Sequence, residues 1–356
     1  MTCCRLRIPS ARAFLPAVSG ILTLFSCVSN ASRDGNREGG LSHGFVRVGD
    51  TIKYHSEVLK PVDAGSFHVL NGSFCKDKDR VFYFTSFRES SDYFLTKKHR
   101  VQELAGADAS TFEVLDDDHA RDRSQAWYQA QAFHVADLRS LTVLNTRFVK
   151  DNVHAYLDRK VIPVSDGRTF ELMDDRYARD TASYYFVQVT GNDMAIAPIA
   201  CDPGSFRIVD HSYAMDKEHV FHDGVKMTGA MPASFVILGP SYSTDGQSVF
   251  FEERKIAGAD PATFALFSVN ERSSGETYYA RDKDRIYIND KPFPGVDPGT
   301  FRILDEKYTV DRNGVYYRTR KVPGADPLSF KVHPHYMGDA DAEDEHHKYG
   351  DGKVVE

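Results

Sequence analysis

One feature restricts the fold of this 356-residue chain more than any other: an internal repeat with a 29-residue period. Each copy is marked by one large apolar side chain, at Phe67, Phe112, Leu141, Phe170, Phe206, Phe235, Phe264, Phe301 and Phe330. Five of the eight gaps between markers are identical, as in 141 − 112 = 29, and the other three are longer by insertions of 16, 7 and 8. A constant period is typical of copied structural units that pack on their neighbours, so we expect a stacked array.

An aspartate recurs with the same period. It lies 19 residues before the marker in six repeats, as in 141 − 122 = 19, and further before it where an insertion lies between the two. It occupies Asp77, Asp122, Asp151, Asp180, Asp216, Asp245, Asp282 and Asp311. A β-branched and an aromatic residue follow it by four and five positions, as in Val220-Phe221, which favours a half-buried strand. Asp223-Gly224 then predicts a two-residue hairpin turn, because both residues tolerate positive φ.

A second aspartate lies four positions before the marker, at Asp63, Asp108, Asp137, Asp166, Asp202, Asp260, Asp297 and Asp326, and Ser or Thr precedes the marker in all nine copies. This pattern predicts a single capped helical turn, since the carboxylate accepts from free amides. A short third strand follows, as in Phe301-Arg302-Ile303-Leu304.

We therefore predict an all-β fold of tandem 29-residue repeats. Each repeat contains a β-hairpin, a capped turn and a third short strand, and about nine units stack as a solenoid-like array over residues 45–335. A closed, β-propeller-like ring is the alternative. It is disfavoured because propeller repeats usually need ~40–45 residues for four strands.

The stretches that open several repeats resemble the DKNYY repeat family. They read DKDRVFY at residues 77–83, DKDRIY at 282–287 and DRNGVYY at 311–317, and the resemblance covers about residues 45–335. It implies a bacterial protein, often exported or lipid-anchored, of unknown function and without an established set of catalytic residues. The copies that begin at Asp122 and Asp151 are degenerate.

The N-terminus is typical of a targeting segment. Three arginines precede an apolar run from Ala13 to Phe25, which predicts a signal peptide over residues 1–26. Leu24-Phe25-Ser26-Cys27 resembles a bacterial lipobox and predicts lipidation of Cys27, whereas cleavage after Ala31 is the alternative. Residues 27–44 are then a flexible tether. We expect an exported protein of the cell envelope, lipid-anchored to a membrane facing the periplasm or exterior, or else secreted or soluble in the periplasm.

The rest of the chain carries fewer signals. Residues 336–356 are expected to be a polar tail with a partial capping hairpin at Tyr349–Val355. Cys75 and Cys201 are predicted to be unpaired, because they lie in distant repeats and a disulfide needs Cα atoms within ~7 Å.

Net charge and motif content limit the possible partners. The formal charge is −7, and removing the three leader arginines gives −7 − 3 = −10, which argues against nucleic acid. Paired acids such as Asp77 and Asp79 lack the later ligands of a calcium loop, so we predict turn capping and neither a metal nor a cofactor. The sequence shows no nucleophile elbow, zinc-binding His-Glu-x-x-His or phosphate-binding glycine loop.

The 16-residue insertion in the second copy is the best candidate for a binding loop. It contains Phe87, Arg88, Tyr93, Phe94, Lys97, Lys98, His99 and Arg100. Loops on repeat scaffolds commonly carry binding, although neutral variation in hairpin length is the alternative. We predict a non-catalytic binding or scaffold protein that holds an envelope protein or glycan. The competing hypothesis is an envelope hydrolase whose site lies in the inserted loops.

Overall fold

The computed structural model describes residues 38–239, 241–267, 278–333 and 340–355. The described chain is built almost entirely of short β-strands, which form ten four-stranded antiparallel sheets. In every sheet the four strands are consecutive in the sequence and pair in chain order, so each sheet is a simple meander. We number the sheets 1 to 10 from the N-terminus.

Sheets 1 to 5 contain the first twenty strands: β1 (Glu38–Gly40), β2 (Phe45–Val48), β3 (Thr51–Tyr54) and β4 (Glu57–Leu59); β5 (His68–Val69), β6 (Phe74–Lys76), β7 (Val81–Arg88) and β8 (Lys97–Glu103); β9 (Glu113–Val114), β10 (His119–Arg121), β11 (Ala126–Tyr128) and β12 (Gln131–Phe133); β13 (Thr142–Val143), β14 (Phe148–Lys150), β15 (Ala155–Leu157) and β16 (Lys160–Val161); β17 (Glu171–Leu172), β18 (Tyr177–Arg179), β19 (Tyr184–Thr190) and β20 (Asp193–Ile199).

Sheets 6 to 10 contain the other twenty: β21 (Arg207–Ile208), β22 (Tyr213–Met215), β23 (Val220–His222) and β24 (Val225–Lys226); β25 (Val236–Ile237), β26 (Tyr242–Thr244), β27 (Val249–Phe251) and β28 (Arg254–Lys255); β29 (Ala265–Leu266), β30 (Tyr279–Arg281), β31 (Ile286–Ile288) and β32 (Lys291–Phe293); β33 (Arg302–Ile303), β34 (Tyr308–Asp311), β35 (Gly314–Tyr317) and β36 (Arg320–Lys321); β37 (Lys331–Val332), β38 (Ala342–Glu343), β39 (Lys348–Gly350) and β40 (Lys353–Val354). Single 3₁₀ turns occur at Ser90–Asp92, Leu138–Ser140 and Pro232–Ser234.

The first of the two recurring aspartates, the one represented by Asp77, is a buried structural anchor. In the second sheet, one oxygen of Asp77 accepts from the amides of Asp79 (2.8 Å) and Arg80 (2.7 Å), which closes the turn between β6 and β7. Its other oxygen accepts from the amide of Asp63 in the segment that connects sheets 1 and 2, at 2.8 Å. This confirms the predicted turn-capping role and shows that the same carboxylate also fixes the connection between sheets.

The connecting bond recurs along the chain. In nine repeats, a carboxylate oxygen of the aspartate accepts a hydrogen bond from a backbone amide at the start of the capped turn. In eight repeats, the hydroxyl of the Ser or Thr before the marker accepts from the backbone amide of the residue that follows this aspartate. In five repeats, the hydroxyl of the tyrosine five residues after the aspartate also donates to its carboxylate. Nine copies therefore share the connecting hydrogen bond, and five of them add a bond from a tyrosine.

Apolar side chains fill the spaces between sheets. Nine clusters of buried residues each lie between two successive sheets, and no cluster in the described ranges joins sheet 1 to sheet 10. Seven of the nine marker side chains are buried, and Phe235 and Phe264 are half-buried against the same clusters. Because each unit buries its aromatic rings only against its neighbours, the chain is a solenoid-like array, as predicted.

The structure adds two features to the predicted array. Sheets 2 to 10 each have a further strand that leads into the recurring aspartate, such as Tyr177–Arg179 before Asp180, and the sequence patterns do not predict it. The hairpin predicted in the tail is present as β39 and β40, but it belongs to a complete tenth sheet in which Asp344 caps the turn. Cys75 and Cys201 are unpaired, as predicted.

Candidate binding hairpin

The 16-residue insertion lengthens the second half of sheet 2 into a long hairpin. Strands β7 and β8 pair from Phe82 opposite Glu103 to Arg88 opposite Lys97, and residues 89–96 form the tip. We call β7, β8 and this tip the second-sheet hairpin. Its length follows directly from the insertion, because the strands of the same hairpin in sheets 1 and 3 are only three or four residues long.

The base of the second-sheet hairpin packs on sheet 1. Phe84 is buried in the cluster between the two sheets, with its ring edge-on to Phe45 at 4.9 Å between centroids. The hydroxyl of Ser86 lies 2.8 Å from Nδ1 of His99 and 3.3 Å from the hydroxyl of Tyr54. These contacts brace the hairpin against the sheet that precedes it.

Two imidazoles meet where the hairpin touches sheet 1. His99 stacks on His55 with ring centroids 3.5 Å apart and an interplanar angle of 24°. Burial lowers the pKa of His55, and the adjacent His99 and Lys97 lower it further. Burial first, and then the neighbouring His99 and Lys97, therefore favour the neutral form of His55.

A cleft of about 340 Å³ lies beside this histidine pair, lined by His43, Tyr54, His55, Gly72, Ser73, Phe84, Thr85, Ser86 and Lys97. Ser86 and His99 form a hydroxyl–imidazole pair at its edge, but none of these lining residues is a carboxylate. A catalytic triad needs an acid that holds the imidazole in its working orientation. The histidine–serine contact is thus explained more simply as bracing of the hairpin.

The tip exposes three consecutive large apolar side chains. Tyr93, Phe94 and Leu95 are 86%, 55% and 79% exposed. Tyr93 and Phe94 both have left-handed backbone conformations, with φ of 54° and 60°, and the Arg88 guanidinium donates to the carbonyl of Phe94 at 2.7 Å. Left-handed conformations are uncommon for aromatic residues, so the tip has a specific, internally fixed shape.

The basic residues of the hairpin lie along its two strands. Arg100 lies over the ring of Phe87 at 4.8 Å, and Lys98 forms an ion pair with Glu89. Lys97 is exposed and lies at the edge of the cleft. Of the eight candidate residues, the structure thus places Tyr93 and Phe94 at the tip and the other six along the two strands, where His99 lies opposite Ser86 and contacts sheet 1.

The seven-residue insertion in the fifth sheet provides a comparison. Strands β19 and β20 form a hairpin that extends over sheet 4, and Arg147 donates to the carbonyl of Asn192 at its turn. Val187, Met194 and Ile196 pack against the cluster between sheets 4 and 5. This fifth-sheet hairpin ends in a tight Gly191-Asn192 turn and has no apolar tip.

Other candidate chemistry is sparse in the part of the chain that the structure describes. No group of three or more His, Cys, Asp or Glu side chains is arranged there to hold a metal ion. None of the helical segments in the described ranges has the length and hydrophobicity needed to cross a bilayer. Cys27, the signal peptide, residues 27–37 of the predicted tether and the eighth-copy insertion at Ser268–Gly275 lie outside the described residues. The end of the predicted tether is part of sheet 1, because Glu38–Gly40 form β1 and pair with β2.

Comparison with protein families gives matches along most of the chain. The model of the DKNYY family matches residues 45–189, 87–224, 119–254 and 279–354, which together span nearly all of the repeat array. The chain belongs to the DKNYY family. Several overlapping matches are consistent with a repeat protein, and the last match includes the tenth sheet of this DKNYY protein.

No curated protein and no solved structure matches this DKNYY chain. The site residues that sequence patterns missed are Tyr54 and His55, which support the hairpin from sheet 1. They belong to the atypical first unit, and the numbers of the two stacked histidines differ by 99 − 55 = 44, which is not the repeat period. The repeat pattern gave no signal for this contact.

Proposed function

We propose that this DKNYY protein is a non-catalytic binding or scaffold protein of the cell envelope. A lipid on Cys27 anchors it, and the tip of the second-sheet hairpin is its contact with a component of the envelope. The observation that carries the proposal is the exposed Tyr93-Phe94-Leu95 tip on a hairpin that another sheet braces. Binding sites are commonly loops that a rigid scaffold positions.

The use of the acidic residues supports a non-catalytic role. The recurring aspartates accept from backbone amides in every repeat, so these carboxylates already have structural partners. A hydrolase would be expected to have a singular cluster of acids or histidines in a concave pocket. None of the residues that line the cleft at His55 is a carboxylate.

The N-terminal sequence supports the location. An arginine-containing start, an apolar run of signal-peptide length and a lipobox-like Cys27 are typical of an exported lipoprotein. Secretion or a soluble periplasmic state would follow instead if cleavage occurred after Ala31.

Photocrosslinking in intact cells tests the contact. We expect a benzoylphenylalanine at position 94 to give adducts with envelope material, whereas the same residue at Val189, on the fifth-sheet hairpin, gives few. Val189 is the matched control because it is also exposed on a long hairpin. Equal adduct yields at the two positions would contradict a specific contact at the tip.

Fractionation tests the anchor separately. Cys27→Ala should lower the share of the protein in the membrane fraction below that of the wild type, because no acyl chain can then be attached. Retention of Cys27→Ala in membranes at the wild-type level would contradict lipid anchoring through this residue.

A further inference from the structure

The shape of the tip limits what can cover it. Tyr93, Phe94 and Leu95 project from the end of a narrow hairpin and are largely exposed. A stable protein–protein interface buries about 800 Å² on each partner, usually over a broad patch. Three side chains on a convex tip offer much less area, but they suffice to enter the boundary between lipid headgroups and acyl chains.

The composition of the tip matches a bilayer interface. Aromatic residues concentrate at the level of the headgroups, and adjacent Lys and Arg interact with anionic lipids. Residues 85–100 carry four basic residues, Arg88, Lys97, Lys98 and Arg100, and two acids, so this segment has a charge of +4 − 2 = +2. The whole chain has a formal charge of −7, so the charge of this segment is opposite in sign to that of the chain.

The position of the hairpin agrees with a membrane contact. Its base packs on sheet 1, whose first strand begins at Glu38, close to Cys27 in the chain (38 − 27 = 11). A connection of that length spans at most about 40 Å when fully extended. A lipid on Cys27 and the tip therefore belong to the same end of the array and can reach one surface together.

We infer that Tyr93, Phe94 and Leu95 insert into the surface of an anionic bilayer, with Lys97 and its basic neighbours at the headgroups. The inference rests on the proposed function, in which the protein is an envelope component, and it identifies the contact of the hairpin as lipid. Together with the lipid on Cys27, the tip holds the array in a fixed orientation at the membrane, because two attachment points restrict rotation about either one.

Vesicle flotation tests the inference without the acyl anchor. The exported chain carrying Cys27→Ala is mixed with vesicles of phosphatidylcholine alone or with about 30 mol% phosphatidylglycerol, which gives the surface the negative charge of a natural anionic membrane. We expect binding to the anionic vesicles. It should fall about tenfold or more when Tyr93, Phe94 and Leu95 are all replaced by serine, because the inserted apolar surface is lost.

Two further variants make the result specific. Lys97→Gln should weaken binding to anionic vesicles by several-fold and leave binding to neutral vesicles unchanged. Val189→Ser should leave both unchanged. Circular dichroism melts should be equal for the three variants, because the substituted side chains are all exposed.

Equal vesicle binding by the wild-type and triple-serine chains would overturn the inference, as would the absence of binding to either vesicle type. If the tip instead crosslinked in cells to a protein or glycan while vesicles stayed unbound, the lipid contact would be wrong and the proposed function would stand. Failure of the proposed function itself would appear as an absence of crosslinks at position 94 and unchanged fractionation of Cys27→Ala.

Discussion

At the scale of single residues, one buried carboxylate per repeat organises the structure. Asp77 receives three backbone amides, two from its own turn and one from the connection to the preceding sheet. Asp79, two positions later, is exposed, and its backbone amide donates to the carboxylate of Asp77. The two residues look alike in the sequence, so their different environments provide a test.

Replacing Asp77 by alanine should destabilise the protein by about 3 kcal/mol or more, because three amides lose a charged acceptor in a buried place. Asp79→Ala should change the free energy of unfolding by no more than ~0.5 kcal/mol. Urea denaturation of both variants checks the difference. Similar losses of stability in the two variants would contradict the role of the recurring aspartate as a structural anchor.

Acid should destabilise the array. Burial alone would raise the pKa of Asp151, Asp180 and Asp282, but hydrogen bonds from amides and a tyrosine hydroxyl hold each pKa below its usual value. Because the unfolded chain binds protons more readily at these sites, their stabilisation is complete above about pH 4 and is lost progressively below it. The urea midpoint should fall steeply between about pH 4 and 3, and less so in Asp180→Asn. A urea midpoint that does not change over this pH range would contradict the stabilising role of these carboxylates.

At the scale of elements, the short strands are held by turns as much as by their own pairing. The turn between β23 and β24 has Asp223 and Gly224 at φ of 47° and 76°, the two-residue hairpin turn that the sequence predicts. Gly224 also lies against the preceding sheet, and a Cβ there would come within 2.5 Å of Cβ of Phe186. The hairpin turns therefore help to set the spacing between sheets.

Substitutions at two glycines distinguish the cost of backbone strain from the cost of overpacking against the preceding sheet. Gly229→Ala should cost about 1 kcal/mol, because φ is +80° but the space beside it is open. Gly224→Ala should cost about 3 kcal/mol in all, because overpacking against Phe186 adds ~1–3 kcal/mol to the same backbone strain. Thermal or urea unfolding measures both. Equal losses would show that the turn does not contact sheet 5 as described.

The repeat period predicted the elements better than local patterns did. The hairpin, the capped turn and the strand after the marker are all present, because each contains residues with a strong turn or strand preference. The strand at Tyr177–Arg179 was missed since a strand this short cannot show an alternating pattern. The tenth sheet was missed because the spacing from Asp326 to Asp344 is 18, and not the 14 found between the paired aspartates of most repeats.

The candidate hairpin was predictable only in part. Its length and its exposed aromatic and basic residues follow from the insertion in the sequence. The stacking of His99 on His55 does not, because that contact joins two different units and depends on how successive sheets pack. Contacts between units are set by the geometry of stacking, which a single repeat does not encode in its own pattern.

At the scale of the whole molecule, the array is one-dimensional. Buried clusters join sheet 1 to 2, 2 to 3 and so on to 10, and in the described ranges no such cluster joins the two ends. In such an array each unit is stabilised by itself and by its nearest neighbours. Damage to one central unit should therefore spread over a few sheets and then stop.

Hydrogen exchange on Asp180→Ala tests this most directly. Asp180 anchors sheet 5 by accepting from the amides of Asp166, Ala182 and Ser183 and from the Tyr185 hydroxyl. We predict that amides in sheets 4 to 6 lose protection, whereas those in sheets 1, 2, 9 and 10 exchange as slowly as in the wild type. Uniform loss of protection across all ten sheets, or none even in sheet 5, would contradict a stack of modules that each depend on their neighbours.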